Sequence, residues 1–307
     1  MIVCCGEALI DMLPRESHAG EPCFAPYPGG AVFNTAIALG RLGVPAGFFT
    51  GLSRDLFGDM LRETLENSNV ATGYTNFSDR PTTLAFVRLA GGQASYLFYD
   101  ENTAGRMLVE ADLPVLDAGV EALHFSCISL ISEPCGSTYE ALMRREHQNR
   151  VMMLDPNIRS SFIQDKPKHL ARMRRMIAMA DVVKLSDEDL SWFGESGSFD
   201  DVAGAWLELG PKLIVVTHGP KGAVGYSRRH KVEVPSQRVT VADTVGAGDT
   251  FNAGILASLH QQDALKKATL ADLSEAAIRS ALSLGAKAAA VTVSRAGANP
   301  PWKHELG

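Results

Sequence analysis

Short apolar runs rich in β-branched residues alternate along this chain with longer stretches of helical periodicity, and that alternation leaves few folds open. Ala122–Ser126, Val151–Asp155, Val182–Leu185 and Leu213–Thr217 read as strands, each separated from the next by a helix or helical loop. The first residues, Met1–Glu7, read as another buried strand. Helices between successive strands demand parallel pairing, so the expected class is α/β, a mainly parallel central sheet flanked by helices in three layers. Phe57, Met60, Leu61 and Leu65 form one apolar stripe at helical spacing within Asp55–Leu65. A second helix is expected from the Asp200/Asp201 cap region to Gly210, where Gly210-Pro211 supplies a stop.

Two stretches interrupt the alternation. Asp11–Pro28 carries Pro14, Pro22, Pro26 and Pro28, while Thr82–Leu89 and Ala94–Tyr99 flank Gly91-Gly92 in the manner of a hairpin. Together they predict a small antiparallel β lid, segments of about 12–28 and 80–106, inserted in a single α/β domain spanning 1–307. A chain of 307 residues accommodates one large domain of this kind. Ligands of doubly wound sheets sit at the carboxyl ends of the strands, where such a lid would cover them.

Composition narrows the partners. With a net charge of −6, 46% hydrophobic and 21% charged residues, the chain has an ordinary globular make-up. Its longest basic cluster is Arg172-Met173-Arg174-Arg175, which argues against a nucleic-acid or anionic-membrane surface. No uncharged apolar stretch reaches the roughly 18 residues of a membrane helix, since Lys287 interrupts the best candidate, Ala281–Val293. Five cysteines without a CxxC pair or zinc spacing fit reduced thiols, and Glu7 and Asp11 within the first apolar run do not fit a signal peptide. The expectation is a cytoplasmic protein with neither nucleic acid nor membrane as partner. The cysteines and Met152-Met153 read as core, and His124, His218 and His260 as structural histidines.

The densest chemistry lies in Asp243-Thr244-Val245-Gly246-Ala247-Gly248-Asp249-Thr250-Phe251-Asn252. A loop of small residues passes there into a helical pattern, so its N–H groups open a helix whose dipole favours negative charge. Asp249, in the first turn, suits a carboxylate that accepts a proton from a hydroxyl, although a glycine turn followed by an acidic helix start has the same short pattern. No Walker A motif offers another phosphate site. Near the other end of the chain stands Pro28-Gly29-Gly30-Ala31-Val32-Phe33-Asn34, followed by small residues of helical character.

DTVGAGDTFNAG resembles the C-terminal signature of the ribokinase-like, or PfkB, carbohydrate kinases, and the Gly29-Gly30 segment resembles their N-terminal GGxxxN motif. The resemblance runs from about Gly6 to Pro301 and implies a ribokinase-like fold. It implies that Asp249 is the catalytic base and that Gly246, Ala247 and Gly248 form the anion hole for the transferring phosphoryl group. Loose phosphoryl transfer needs positioning and positive potential above all, which agrees with that division. The sugar would be held by Asp11, Gly29, Gly30 and Asn34, with Phe98 and Arg106 from the lid. Asp155-Pro156-Asn157-Ile158-Arg159 resembles a DxNxR stretch facing substrate and phosphates, in which Asn157 would touch substrate and Arg159 would hold a phosphate, whereas Asp155 could simply end its strand.

Lys184-Leu185-Ser186-Asp187-Glu188-Asp189 occupies the place of the family's NxxE motif, with Ser186 for Asn and Asp189 for Glu. Lys184 and Ser186 would serve the nucleotide, and Asp189 or Glu188 a Mg²⁺ held indirectly, or the run is only an acidic helix start. Thr217, Gly219 and Gly222 resemble the family's TxGxxG nucleotide turn. Asp243, Val245 and Gly297 would neighbour a monovalent cation, K⁺. The cofactors implied are therefore ATP, Mg²⁺ and K⁺, the partners a small sugar and a second copy of the chain joined through the lid.

Within the family, Cys5–Asp11, the Pro28–Ala31 loop and Ser186-Asp187-Glu188 resemble the bacterial fructokinase branch, which implies transfer of the γ-phosphate to a primary hydroxyl of a ketose, D-fructose, giving fructose 6-phosphate. A 2-keto-3-deoxygluconate kinase is the nearest alternative, kept open by Arg106 as a carboxylate partner. A catalytically silent sugar sensor is the alternative from another class.

Overall fold

The computed structural model describes residues 1–90 and 93–307, and the side chains of residues 88–96 fall outside the description. The chain opens with β1 (Ile2–Cys5), β2 (Leu9–Glu16), β3 (Pro22–Gly29), α1 (Ala31–Arg41), β4 (Ala46–Phe49), β5 (Gly51–Ser53), α2 (Leu56–Asn67), β6 (Val70–Ala71) and β7 (Asn76–Ser78). It continues with β8 (Leu84–Ala90), β9 (Gln93–Tyr99), β10 (Ala122–Ser126), α3 (Cys135–Glu146), β11 (Val151–Asp155), α4 (Lys166–Met179), β12 (Val182–Ser186) and α5 (Asp187–Phe193). The last third holds α6 (Phe199–Leu209), β13 (Leu213–Thr217), β14 (Ala223–Tyr226), β15 (Lys231–Val234), α7 (Ala247–Gln261), α8 (Lys267–Leu270) and α9 (Glu275–Val293).

The large sheet has the order β15-β14-β13-β12-β11-β10-β1-β4-β6, parallel from β6 to β13 and antiparallel in its last two strands. Parallel strands covered on both faces are apolar without alternation, which is why Val-Met-Met-Leu and Leu-Ile-Val-Val can fill β11 and β13. Successive side chains still point to opposite faces. Met153 joins Phe33 and Leu39 of α1, Leu256 of α7 and Leu282 of α9 in one core layer. Its neighbour Leu154 joins Tyr139 of α3, Ile177 of α4 and Trp206 of α6 in the other. Each such buried side chain contributes roughly 1.5–3 kcal/mol. The long helix α9 has the length and composition of a membrane span, yet Ile278, Ala281, Leu282 and Ala288 are buried against the rest of the protein.

The second sheet, β3-β2-β8-β9, consists of two antiparallel hairpins joined by a parallel pairing of β2 with β8. The strands of the small sheet expected within residues 12–28 and 80–106 are these, while the Gly91-Gly92 turn lies outside the described residues. The strand expected at Val182–Leu185 extends to Ser186, and the two expected helices are α2 and α6, capped by Asp55 and Ser198. Cys4, Cys5, Cys127 and Cys135 are buried, as expected of core residues, but Cys23 is exposed, because β3 lies in the thin lid sheet where no second layer covers it.

Candidate active site

The large sheet brings the carboxyl ends of β10, β11, β12 and β13 to one level, with Ser126 beside Asp155 and Ser186 beside Thr217. Helix α7 begins above these strand ends. Its N-cap is Gly246, in the left-handed region at φ 76°, and no side chain caps the helix. A Cβ at Gly246 would fall 2.7 Å from the Ala298 Cβ, so the loop passes where only glycine fits. The first N–H groups of a helix have no partner within it. Here no side chain caps them, although the Ala247 N–H turns back to the Thr244 carbonyl at 3.3 Å, and the small residues Gly246, Ala247 and Gly248 leave room for an anion at the helix start.

Asp249, in the first turn of α7, is 8% exposed. Its Oδ2 accepts from Asn34 Nδ2 of α1 at 2.9 Å, and its carbonyl accepts from the Thr35 hydroxyl at 3.1 Å. The GGxxxN segment and the GAGD segment, expected to cooperate, are thus in direct contact. Burial pushes the Asp249 carboxyl up to about 7, with Asp155 and Glu7 adding to the effect and the Asn34 bond and Lys184 opposing it. A carboxylate at that value is poised to take a proton near neutral pH.

Behind Asp249 lies a buried polar network. Lys184 Nζ donates to Asp155 Oδ2 at 3.0 Å, and Asn252 Nδ2 donates to the same oxygen at 2.7 Å. Asp155 and Asn252 have no exposure. Asp155 Oδ1 accepts from the Asn157 N–H at 3.1 Å, holding that residue at φ 40°. Arg159 is exposed at the end of this turn and donates to the Ile158 carbonyl.

On the other side of Asp249, Glu7 reaches across from the turn after β1. Its carboxylate accepts from the N–H groups of Ala31 at 2.9 Å, Val32 at 3.4 Å and Ser129 at 3.3 Å, fixing the start of α1 to the β10 side of the sheet. Gly29 and Gly30 precede that start, and Asp11 on β2 lies against Gly29. Burial pushes the Asp11 carboxyl up to about 6. Asp11, Gly29, Gly30 and Asn34 therefore frame one approach to Asp249.

From the opposite direction a cavity of about 880 Å³ ends on Ala247 and Gly248. Thr217, Gly219 and Gly222 line one wall, Ala286, Ala289 and Val293 of α9 another. Its size and apolar lining fit a nucleotide. Ser186 caps α5, and Asp189 is held with it: Oδ2 accepts from the Ser186 N–H and hydroxyl at 2.9 and 2.7 Å, Oδ1 from the Ile158 N–H at 2.7 Å. Both oxygens of Asp189 are thus engaged, leaving Glu188 as the exposed carboxylate of the turn. Among the described residues no group of three His, Cys, Asp or Glu side chains forms a metal cage. With both Asp189 oxygens engaged, Glu188 is the carboxylate of this turn left to meet a hydrated cation. Asp243, Val245 and Gly297 lie together, the Asp243 carboxylate accepting from the N–H groups of the other two at 3.0 and 2.9 Å.

Two expected sugar contacts line a further cavity, and Arg106 also borders a small one that it shares with Glu7 and Ser129. Phe98 packs edge-on against Phe162, centroids 4.7 Å apart, and Arg106 pairs with Asp100 at 3.6 Å and donates to the Glu133 carbonyl. Both line a cavity of about 460 Å³ whose lining includes neither Asp249 nor Asn34. Sequence reasoning passed over Glu7 and Asn252. The signals were a carboxylate inside an apolar strand run, and an amide one helical turn beyond Asp249.

Residues 1–305 match the family described as pfkB family carbohydrate kinase. A fructokinase of Rhizobium leguminosarum bv. trifolii is 61% identical over 279 residues, 91% of this chain and 86% of that protein. The crystal structure of a fructokinase with bound ATP from Xylella fastidiosa superposes with a TM-score of 0.90 at 30% identity, covering 99% of this chain and 97% of the other. A fructokinase from Vibrio cholerae O395, in a form with fructose, ADP and calcium ion bound, gives 0.82 at 27% identity, covering 97% and 94%.

Proposed function

The chain belongs to the pfkB family of carbohydrate kinases, and from that premise we propose that it is an ATP-dependent fructokinase in which Asp249 takes the proton from the primary hydroxyl of D-fructose as the γ-phosphate is transferred, giving fructose 6-phosphate. The observation that carries this reading is the contact of Asn34 with Asp249 at the uncapped start of α7, where a sugar-facing helix meets an anion cradle at the end of a nucleotide-sized cavity.

Asn34 orients the base by donating to one of its oxygens, leaving the other for the substrate hydroxyl. Asp11 and the Gly29-Gly30 backbone suit the remaining hydroxyls, as acceptor and donors. The N–H groups of Gly246–Gly248 stabilise charge on the phosphoryl oxygens, a contribution that grows in a site shielded from water. Arg159, next to this loop in the electrostatic field of Asp249, adds a fork-shaped donor. Thr217, Gly219 and Gly222 would hold ribose and phosphates, with Lys184 behind them. Mg²⁺, bound with the nucleotide, supplies charge neutralisation on its phosphates. Glu188 would reach that ion through water, and Asp189 would brace the Asp155–Arg159 turn for it. The carbonyls around Asp243, Val245 and Gly297 would take K⁺.

We read the chain as one catalytic unit with the β2-β3 and β8-β9 hairpins as its lid. Arg106 is engaged by Asp100 and Glu133, which favours fructose over a keto-acid. Intact base and cradle favour an enzyme over a sensor. The test is ADP release with MgATP across D-fructose, 2-keto-3-deoxygluconate, D-ribose and adenosine. Turnover confined to fructose is expected. Preference for the keto-acid would move the substrate assignment, and silence across the panel in a protein that binds MgATP would remove the kinase reading.

A further inference from the structure

The cavity that ends on Ala247 and Gly248 is walled mainly by small and apolar side chains, and among the described residues that line it Arg238 is the one that carries a charge. Arg238 is exposed in the stretch between β15 and the Gly246 loop, and no hydrogen bond or ion pair engages its guanidinium among the described residues. The backbone beneath it is fastened. The Ser236 hydroxyl donates to the Pro220 carbonyl, and a Cβ on Gly222, at φ 104°, would fall 2.1 Å from the Val234 carbonyl oxygen. The Gly219–Gly222 turn and the exit from β15 therefore pack as one wall. Arg238 stands two residues past Ser236 and six before Thr244, which lines the cavity together with Ala247 and Gly248. By chain distance it belongs beside the turn, with the start of α7 further along the same wall.

A nucleotide brings several negative charges to a chain whose own net charge is −6. The other cations near the site are engaged elsewhere: Lys184 is buried and donates to Asp155, and Arg159 stands on the Asp249 side. We propose that Arg238 binds the α- and β-phosphates of the donor nucleotide, as a two-point donor on the cavity wall that serves nucleotide binding and not the chemical step. The proposal rests on the reading of this cavity as the nucleotide site. A guanidinium presents paired N–H groups to two phosphate oxygens, and Arg238 gives up no protein partner in doing so. The γ-phosphate belongs to the start of α7, so Arg238 holds ATP and ADP alike. An interaction equal before and after transfer lowers KM and leaves kcat unchanged.

The experiment measures dissociation constants of AMP, ADP and MgATP by titration calorimetry, with KM for MgATP and kcat on fructose, for the native chain, R238Q, R238K and K221Q. Lys221 lies in the same turn but does not line the cavity. A hydrogen-bonded charge pair lost from a binding site costs about tenfold or more in affinity. R238Q is expected to weaken ADP and MgATP by that factor and AMP by less, to raise KM for MgATP in step, and to leave kcat and KM for fructose at native values. R238K, a point charge without the fork, is expected between R238Q and native, and K221Q at native. Native affinity for ADP and MgATP in R238Q overturns the proposal, as does a fall in kcat with KM unchanged. An equal loss for AMP, ADP and MgATP would put the guanidinium on the base and overturn the phosphate assignment, and a loss in K221Q as large as in R238Q would replace a contact with a diffuse field. A native protein that binds none of the three nucleotides overturns the reading of the cavity and this proposal with it, whereas native binding unchanged in R238Q overturns this proposal alone.

Discussion

The burial that would make Asp249 the base proposed above also weakens the fold, because it costs free energy to bury the charge. The sign follows from its carboxyl being raised by desolvation to about 7 from an ordinary value near 4. The native state holds the proton over a range where the unfolded chain has released it, so stability falls as pH rises from about 4 to 7. Asp249→Asn, which keeps a group able to pair with Asn34, is therefore expected to raise Tm by several degrees at pH 8, with the gain shrinking toward pH 5. Differential scanning calorimetry at the two pH values checks this. The same variant is expected to lose about 10²- to 10⁴-fold in kcat with nucleotide affinity retained, and the native kcat to rise through pH 7, both read by coupled ADP assay and titration calorimetry. Asp249 itself was legible in the sequence because it stands inside DTVGAGDTFNAG, a run long enough to resemble a family signature, whereas the short glycine-acid pattern alone fits an ordinary helix start as well. Glu7 was not, because its partners are backbone N–H groups at residues 31, 32 and 129, and no local pattern records them.

At the scale of elements, Asp55 joins α2 to the lid. It caps that helix at Gly58 at 2.8 Å and takes the Thr82 N–H and hydroxyl at 2.9 and 2.6 Å, just before β8. Asp55→Ala is expected to cost about 1–2 kcal/mol in urea denaturation, the upper part of the range for a lost cap, because a second element is released with it. Partial burial would raise this carboxyl, but the bonds from Thr82 and Gly58 hold it below the ordinary range. Its contribution is therefore complete at neutral pH and fades as pH falls through the acid range, so native and variant should converge there. Strands and helices of the large sheet were readable because buried parallel strands and amphipathic helices differ in period. The small sheet's pairing was less so: β2 and β8 are parallel neighbours separated by seven intervening elements, and proline-rich runs such as β3 give little periodicity.

For the whole molecule, the small sheet β3-β2-β8-β9 leaves large apolar side chains exposed. Phe24 and Tyr99 are 49% and 57% exposed, with Phe86 between them in edge-to-face contacts at 5.0 and 5.5 Å. A second copy seated on this face would cover the aromatics, in line with a dimer through the lid. Sedimentation is expected to give a dimer for the native chain and a shift toward monomer for Phe24→Ser. A single monomeric species for both would remove that reading.

The bond from Asn34 to Asp249 spans 215 residues of chain. During synthesis the ribosome releases α1 long before α7, so a nascent chain exposes the Gly29-Gly30 side of the cleft while the base is still unmade. A chain cut short before Ala247 lacks α7 altogether, and with it the partners that Asn34 and Asp155 hold in the complete fold.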